Sequence, residues 1–197
     1  MSETVRALIV YESMFGNTER IARAVRDGLR RYVPTESVPV NRAPSAVPGD
    51  VRLLVVGGPT HTFSMSRAST RQEAWKQADV VMPIEVGIRE WLAALEPAGG
   101  SARTAPRMAT FDTRIARVRR LPGSAARSAA KLLRRMGYRQ LGESGSFFVN
   151  DSTGPIKEAE IERARRWGRE LGRLFTASER DHGGRVRAGR VRDANRR

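Results

Sequence analysis

Ser13-Met14-Phe15-Gly16-Asn17-Thr18 lies between an apolar run, Ala7-Leu8-Ile9-Val10-Tyr11, and a helix-patterned run, Ile21-Ala22-Arg23-Ala24-Val25. The first run reads as a strand and the second as the body of a helix, which makes the residues between them a turn at a helix N-terminus. The N–H groups of a first helical turn have no intrahelical partner, and the helix dipole favours negative charge there. Hydroxyls at Ser13 and Thr18, an amide at Asn17 and a turn-forming Gly16 suit a phosphate held without metal or lysine.

Outward from this turn, strand and helix signals alternate. The first strand is predicted over Arg6 to Tyr11 and the first helix from Asn17 to Arg31, with Ile21, Val25 and Leu29 on one face. Glu36 to Val40 reads as an edge strand amid prolines, and the apolar run Val51 to Val56 as a central strand buried on both faces. Ser69 to Glu73 has capping-box spacing and predicts a helix towards Ala78; Gly87 to Leu95 predicts another. Arg107 to Phe111 is the fourth strand, Ser124 to Met136 a helix, and Ser146 to Val149 the fifth strand. Pro155 is expected to open the last helix, with Ile161, Ala164, Trp167, Leu171 and Leu174 as its buried stripe.

This order predicts an α/β three-layer sandwich with a five-stranded parallel sheet, strand order 2-1-3-4-5. Ligands of such sheets bind at the switch point, between the loops that follow the first and third strands. The loop after the third strand is Pro59-Thr60-His61-Thr62-Phe63, polar and turn-rich like Ser13 to Thr18. The two loops are therefore expected to line one crevice.

The first loop resembles the flavodoxin phosphate loop, Thr/Ser-x-Thr-Gly-Asn-Thr. Ser13, Gly16, Asn17 and Thr18 match it, Met14 takes the free position, and Phe15 stands where a hydroxyl residue is commoner. Gly57-Gly58-Pro59-Thr60-His61-Thr62-Phe63 is similar to the second flavin loop of flavodoxins and their quinone-reductase relatives. The resemblance implies a flavodoxin-like fold over Val5 to Phe175 and flavin mononucleotide (FMN) as cofactor. It assigns Ser13 to Thr18 to the phosphate and Pro59, Thr60, His61, Thr62 and Phe63 to the flavin ring. A third contact is implied at the end of the fourth strand, Phe111-Asp112-Thr113-Arg114, with Phe63 and Phe111 as apolar surface and Asp112 and Thr113 at the ring edge. For Phe111 a place in the core is equally open, and for His61 both a proton-moving role and an exposed loop position are open. The absence of glycine from Thr60 to Arg67 argues against positive φ in that loop, and so for two-electron behaviour.

The function implied is electron carriage through FMN, to a redox partner protein or a small-molecule acceptor. One alternative is a flavin-dependent oxidoreductase acting on a quinone or a porphyrinogen, as in menaquinone-dependent protoporphyrinogen oxidase. A second is a flavin-free binding module of the same fold. Three departures from ordinary flavodoxins stand out: the length of Ser64 to Val86, the basic connection Thr113 to Gly123, and the net charge of +15.

Composition narrows the chemistry. The 197 residues include no cysteine and only His61 and His182 as imidazoles, which excludes thiol chemistry and disfavours metal sites and Ser–His–Asp triads. No motif of a dinucleotide-binding Rossmann site, a P-loop or a nucleophile elbow is present. No apolar stretch approaches the roughly 20 residues of a membrane span, and a first strand close to Met1 leads to an expected cytoplasmic location. Of 36 basic residues only Lys76, Lys131 and Lys157 are lysines. They are spread along the chain without an RNA-binding signature, so no specific nucleic acid is expected. Residues 176–197 lack apolar periodicity and are expected to form a disordered basic tail, capable of weak contact with anionic surfaces.

Overall fold

The structure, a computed structural model, describes residues 5–77, 85–98, 105–118, 122–151 and 153–194. Strand β1 (Arg6–Tyr11) pairs in parallel with β2 (Thr35–Pro39) on one side and β3 (Val51–His61) on the other. β3 pairs antiparallel with the short β4 (Ser64–Met65) and parallel with β5 (Arg107–Ile115). The last place in the sheet is divided: β6 (Arg139–Gln140) pairs with the start of β5 and β7 (Gly145–Val149) with its second half. With that place counted once, the parallel order is the expected 2-1-3-4-5.

Helices α1 (Asn17–Leu29) and α5 (Glu158–Ala194) cover one face of the sheet. Helices α3 (Ile88–Ala94) and α4 (Ala125–Arg135) cover the other, and α2 (Ala68–Gln77) follows β4. Alternation along the strands sends Ile9, Leu53, Val55 and Ala109 to the first layer and Leu8, Leu54, Val56 and Met108 to the second. Both faces are apolar because both are covered, and each buried Leu or Val side chain stabilises by about 1.5–3 kcal/mol. α1 and α5 meet where neither carries a side chain: a Cβ on Gly28 would lie 2.2 Å from the Arg165 carbonyl oxygen, and one on Gly168 would lie 2.3 Å from that of Val25.

Several elements differ from the sequence expectation. β3 runs to His61 and β5 to Ile115, because the loop residues Gly57 to Pro59 and Phe111 to Thr113 continue the ladder between them. β3 then turns into β4 through Thr62 (φ 44°) and Phe63 (φ 67°). A two-residue hairpin of this kind demands left-handed φ at both central residues, so the ladder overrides the preference against it. α2 starts before Ser69; the Thr70 hydroxyl instead accepts from the Arg67 N–H at 2.9 Å. The expected end of this helix, Ala78, lies outside the described residues.

α5 starts at Glu158, after Pro155, because Ile156 first bridges to Val149. Its stripe ends on Phe175, which is buried, while Leu174 is 39% exposed. α5 continues past Phe175 to Ala194. Among the described residues no helix is long and apolar enough to cross a membrane.

Candidate functional site

A crevice of ≈ 360 Å³ opens at the C-terminal ends of β1, β3 and β5. The first loop contributes Ser13, Met14, Phe15, Asn17 and Thr18, and the end of β3 contributes Pro59, Thr60, His61 and Thr62. Thr113, Arg114 and Ile115 enter from β5, Val149 and Thr153 from the end of β7, and Thr70, Glu73 and Ala74 from α2. Its volume lies within the ordinary range of small-ligand sites.

The phosphate-loop residues stand at the start of α1 as expected. Gly16 is the N-cap, with φ 79°, and no side chain caps the helix, so its first-turn N–H groups face the crevice end without a capping partner. Ser13 Oγ is buried and has no hydrogen-bond partner. A buried hydroxyl without a partner is a standing cost, and one beside an uncapped helix start matches an anion in chemistry and position.

Asn17 and Thr18 are used differently. Asn17 Nδ2 donates to the Thr153 carbonyl at 3.1 Å, and a Cβ on Gly154 would fall 2.6 Å from Asn17 Oδ1. The carboxamide thus fastens the first loop to the turn before α5. Ser152 lies outside the described residues. Thr18 Oγ1 and Thr113 Oγ1 are hydrogen-bonded at 2.8 Å and both residues are buried. One hydroxyl donates to the other, which leaves a single hydroxyl proton between them for a ligand.

Besides Gly16, the N-cap of α1, three sequence-predicted site residues do not line the crevice. Phe111 is fully buried: its ring lies over Gly57, where a Cβ would approach Cζ to 2.0 Å, and packs edge-on against Phe147 and Trp167 at centroid distances of 6.2 and 6.1 Å. Strand alternation turns residue 111 to the α1/α5 layer, so of its two open readings the core one holds. Phe63 stands at the hairpin tip, 49% exposed, with Gly123 packed so closely that a Cβ there would meet the Phe63 carbonyl oxygen at 2.2 Å.

Asp112, the third, is fully buried beneath the crevice floor. Its Oδ2 accepts from Thr60 Oγ1 (2.9 Å), Ser124 Oγ (2.5 Å) and the Ala126 N–H (3.3 Å), and its Oδ1 accepts from Ser146 Oγ (2.7 Å). The carboxylate joins β3, β7 and the N-terminus of α4, where the helix dipole favours its charge. Thr60 Oγ1 in turn accepts from the Ala125 N–H at 3.0 Å. The Thr60 hydroxyl is spent on this clamp, and only its backbone and methyl group remain for a ligand.

His61 is half-buried in the crevice wall. Burial, and then the Arg71 charge, hold its imidazole below the usual histidine range, so it is neutral at pH 7. Behind it lies a polar network that the sequence did not reveal. Ser66 Oγ donates to Glu12 Oε1 at 2.5 Å and accepts from Arg71 at 2.9 Å, and the Ile88 N–H donates to Glu12 Oε2 at 2.8 Å. Arg71 also pairs with Glu90 at 3.1 Å. Burial pushes the Glu12 carboxyl up, against the hydrogen bonds from Ser66 and Ile88. Arg71 belongs to α2, so this network fixes the helix whose Thr70, Glu73 and Ala74 wall the crevice. The only signal in the sequence was a carboxylate, Glu12, directly after an apolar strand. Among the described residues no group of His, Cys, Asp and Glu is arranged to hold a metal ion.

No family model and no curated protein matches the chain. Among solved structures it is similar to a flavodoxin of Streptococcus pneumoniae TIGR4, at 17% identity over 85% of this chain and 97% of that one, with a TM-score of 0.59. It is likewise similar to oxidised flavodoxin 2 from Bacillus cereus, at 15% identity over 86% of this chain and 99% of that one, TM-score 0.58. A WrbA-like flavodoxin from Agrobacterium tumefaciens matches at 14% identity over 88% of this chain and 99% of that one, TM-score 0.54. At such identities the likeness is one of architecture: the chain has the flavodoxin-like fold.

Proposed function

We propose that the crevice binds FMN and that the protein carries electrons through it. The observation that carries this reading is the buried, unpartnered hydroxyl of Ser13 beside the uncapped start of α1. A terminal phosphate supplies the acceptor that this hydroxyl and the first-turn N–H groups lack. The free hydroxyl proton of the Thr18–Thr113 pair adds a donor. Met14, Phe15, Ile115 and Val149 give apolar walls for a flat ring, and the backbone of Pro59 to Thr62 borders it. When bound, the flavin supplies the redox chemistry, and the protein supplies binding, orientation and electrostatics. The neutral His61 imidazole is able to exchange a proton at the crevice wall.

A second reading, a flavin-dependent oxidoreductase acting on a small molecule such as a quinone or a porphyrinogen, is favoured by one feature. α2 walls the crevice with Thr70, Glu73 and Ala74, so a small acceptor entering beside the first loop meets side chains of this helix. Steady-state oxidation of NAD(P)H with an added quinone separates the two, since a simple carrier gives no turnover without its protein partners.

The test of the main reading is the absorption spectrum of the purified protein, with chromatography of the flavin released by heat. The expected result is a yellow protein that releases FMN. A protein that is colourless and remains so after incubation with excess FMN would overturn the proposal.

A further inference from the structure

Between the buried Asp112 and Glu143 the chain has no acidic residue, while basic residues recur throughout. Within this stretch α4 carries Arg127, Lys131, Arg134 and Arg135, all exposed and at helical spacing along one face. None of the ion pairs among the described residues includes any of the four. Arg134 donates to the carboxamide oxygen of Gln140, a neutral partner. Glu96 after α3 and Glu143 after β6 are exposed acids on neighbouring segments, and neither pairs with the stripe. Like charges three and four residues apart destabilise a helix, and Arg127 stands in the first turn, where the dipole disfavours a cation. Stability therefore does not account for this face.

The stripe begins at the crevice. The Ala125 N–H donates to Thr60 at the crevice floor, and Ser128 Oγ lies 3.2 Å from Ser64 Oγ in β4. Gly123, one residue before the N-cap Ser124, packs directly beneath Phe63. The exposed Phe63 is thus held against the start of α4, whose first turn carries Arg127. From the other side Arg89 of α3 fixes the same hairpin, donating to the Met65 carbonyl at 2.9 Å and to Ser64 Oγ and the Ser66 carbonyl at 3.1 Å. Arg89 belongs to no ion pair either. An aromatic residue displayed on a strained turn, propped from two sides and flanked by cations, has the composition of a binding hot spot.

We infer that the basic face of α4 and the Phe63 tip form one docking surface for the acidic face of a partner protein, the one with which this chain exchanges electrons. The inference rests on the electron-carrying reading and adds the chemistry of the partner. Continuity with the crevice brings a protein seated here close to whatever the crevice holds. Four cations along about 12 Å of helix and one aromatic ring match the small, charge-steered interfaces of transient electron-transfer complexes. A second copy of the chain is repelled by its net charge of +15. A membrane fits less well, because a single ring sinks little apolar area into a bilayer. A nucleic acid would draw on the cations but gives no reason for the apolar tip beside the crevice.

The test is fluorescence anisotropy of a labelled plant-type ferredoxin, an acidic redox protein, titrated with the full chain at NaCl concentrations from about 20 mM upward. Association is expected at low salt and should weaken as salt rises. Arg127→Gln/Lys131→Gln/Arg134→Gln is expected to bind at least about tenfold more weakly and to melt no lower than the wild type. Phe63→Asn, which suits the turn, should weaken binding by about threefold or more with the salt dependence unchanged. Arg31→Gln/Arg166→Gln/Arg180→Gln removes equal charge from exposed positions on the α1 and α5 side and should cost less than about threefold. Equal losses in the stripe and control variants would overturn the proposal, as would no association at the lowest salt. Tighter binding to cytochrome c, a basic redox protein, to duplex DNA or to phosphatidylserine vesicles at equal salt would also overturn it. The measurement needs no bound flavin. Association that follows the stripe in a protein unable to bind FMN would support the surface while overturning the electron-carrying reading.

Discussion

Thr60 and Asp112 share a hydrogen bond of 2.9 Å although 52 residues separate them in the chain. Through Asp112 the same clamp reaches Ser124 and Ser146, so one buried carboxylate ties the floor of the crevice to β7 and α4. Asp112→Ala would leave three hydroxyl donors without their acceptor. The expected loss of stability in urea unfolding is on the order of 3–5 kcal/mol, and Asp112→Asn, which keeps one acceptor oxygen, should lose clearly less. Small losses in both variants would mean that the hydrogen bonds of Asp112 matter little.

Ser13 behaves in the opposite way because its hydroxyl has no partner within the protein. Ser13→Ala is expected to leave the stability of that protein unchanged or slightly raised. FMN affinity should fall by at least about tenfold, as one charge-assisted hydrogen bond of roughly 1.5–3 kcal/mol is lost. Unfolding curves and fluorescence quenching of FMN check the two halves separately.

The hairpin tip carries strain. Thr62 and Phe63 both hold positive φ, which costs non-glycine residues about 1–2 kcal/mol each. Replacing the pair by Asn-Gly, the sequence suited to this turn, is expected to raise stability by about 1–2 kcal/mol in urea unfolding. No gain would place the turn in a different geometry in solution.

His61 sets a pH dependence. Its folded pKa lies below the ordinary histidine value, chiefly through burial, so the unfolded chain binds more protons between the two values. Stability linked to His61 is therefore full above about 6.5 and declines as pH falls through the folded pKa. His61→Gln should flatten the unfolding free energy between about pH 5 and 7 relative to the wild type. An identical slope in both proteins would contradict the buried, neutral imidazole.

The apolar runs Ala7 to Tyr11 and Val51 to Val56 made the central strands legible in the sequence, because strands covered on both faces must be apolar at nearly every position. Ser13 to Thr18 and Pro59 to Thr62 were legible as crevice loops because their composition and the switch-point rule agree. Asp112 was not legible as a clamp, since its donors come from residues 12 to 52 positions away. Phe111 was left open between core and site because only the continued ladder of β5 fixes which way its side chain points. The wall formed by α2 depends on the buried Glu12–Ser66–Arg71 contacts, which no local pattern announces.

The phosphate is the centre of the account, and the most direct measurement compares FMN with riboflavin. The two ligands share the flavin ring and differ in the group assigned to Ser13 and the start of α1. Titration of the flavin-free protein, followed by fluorescence quenching, should give FMN an affinity at least about 100-fold higher, as expected of two or more charge-assisted hydrogen bonds. Equal affinities for FMN and riboflavin would contradict the claim that this crevice is built around a phosphate.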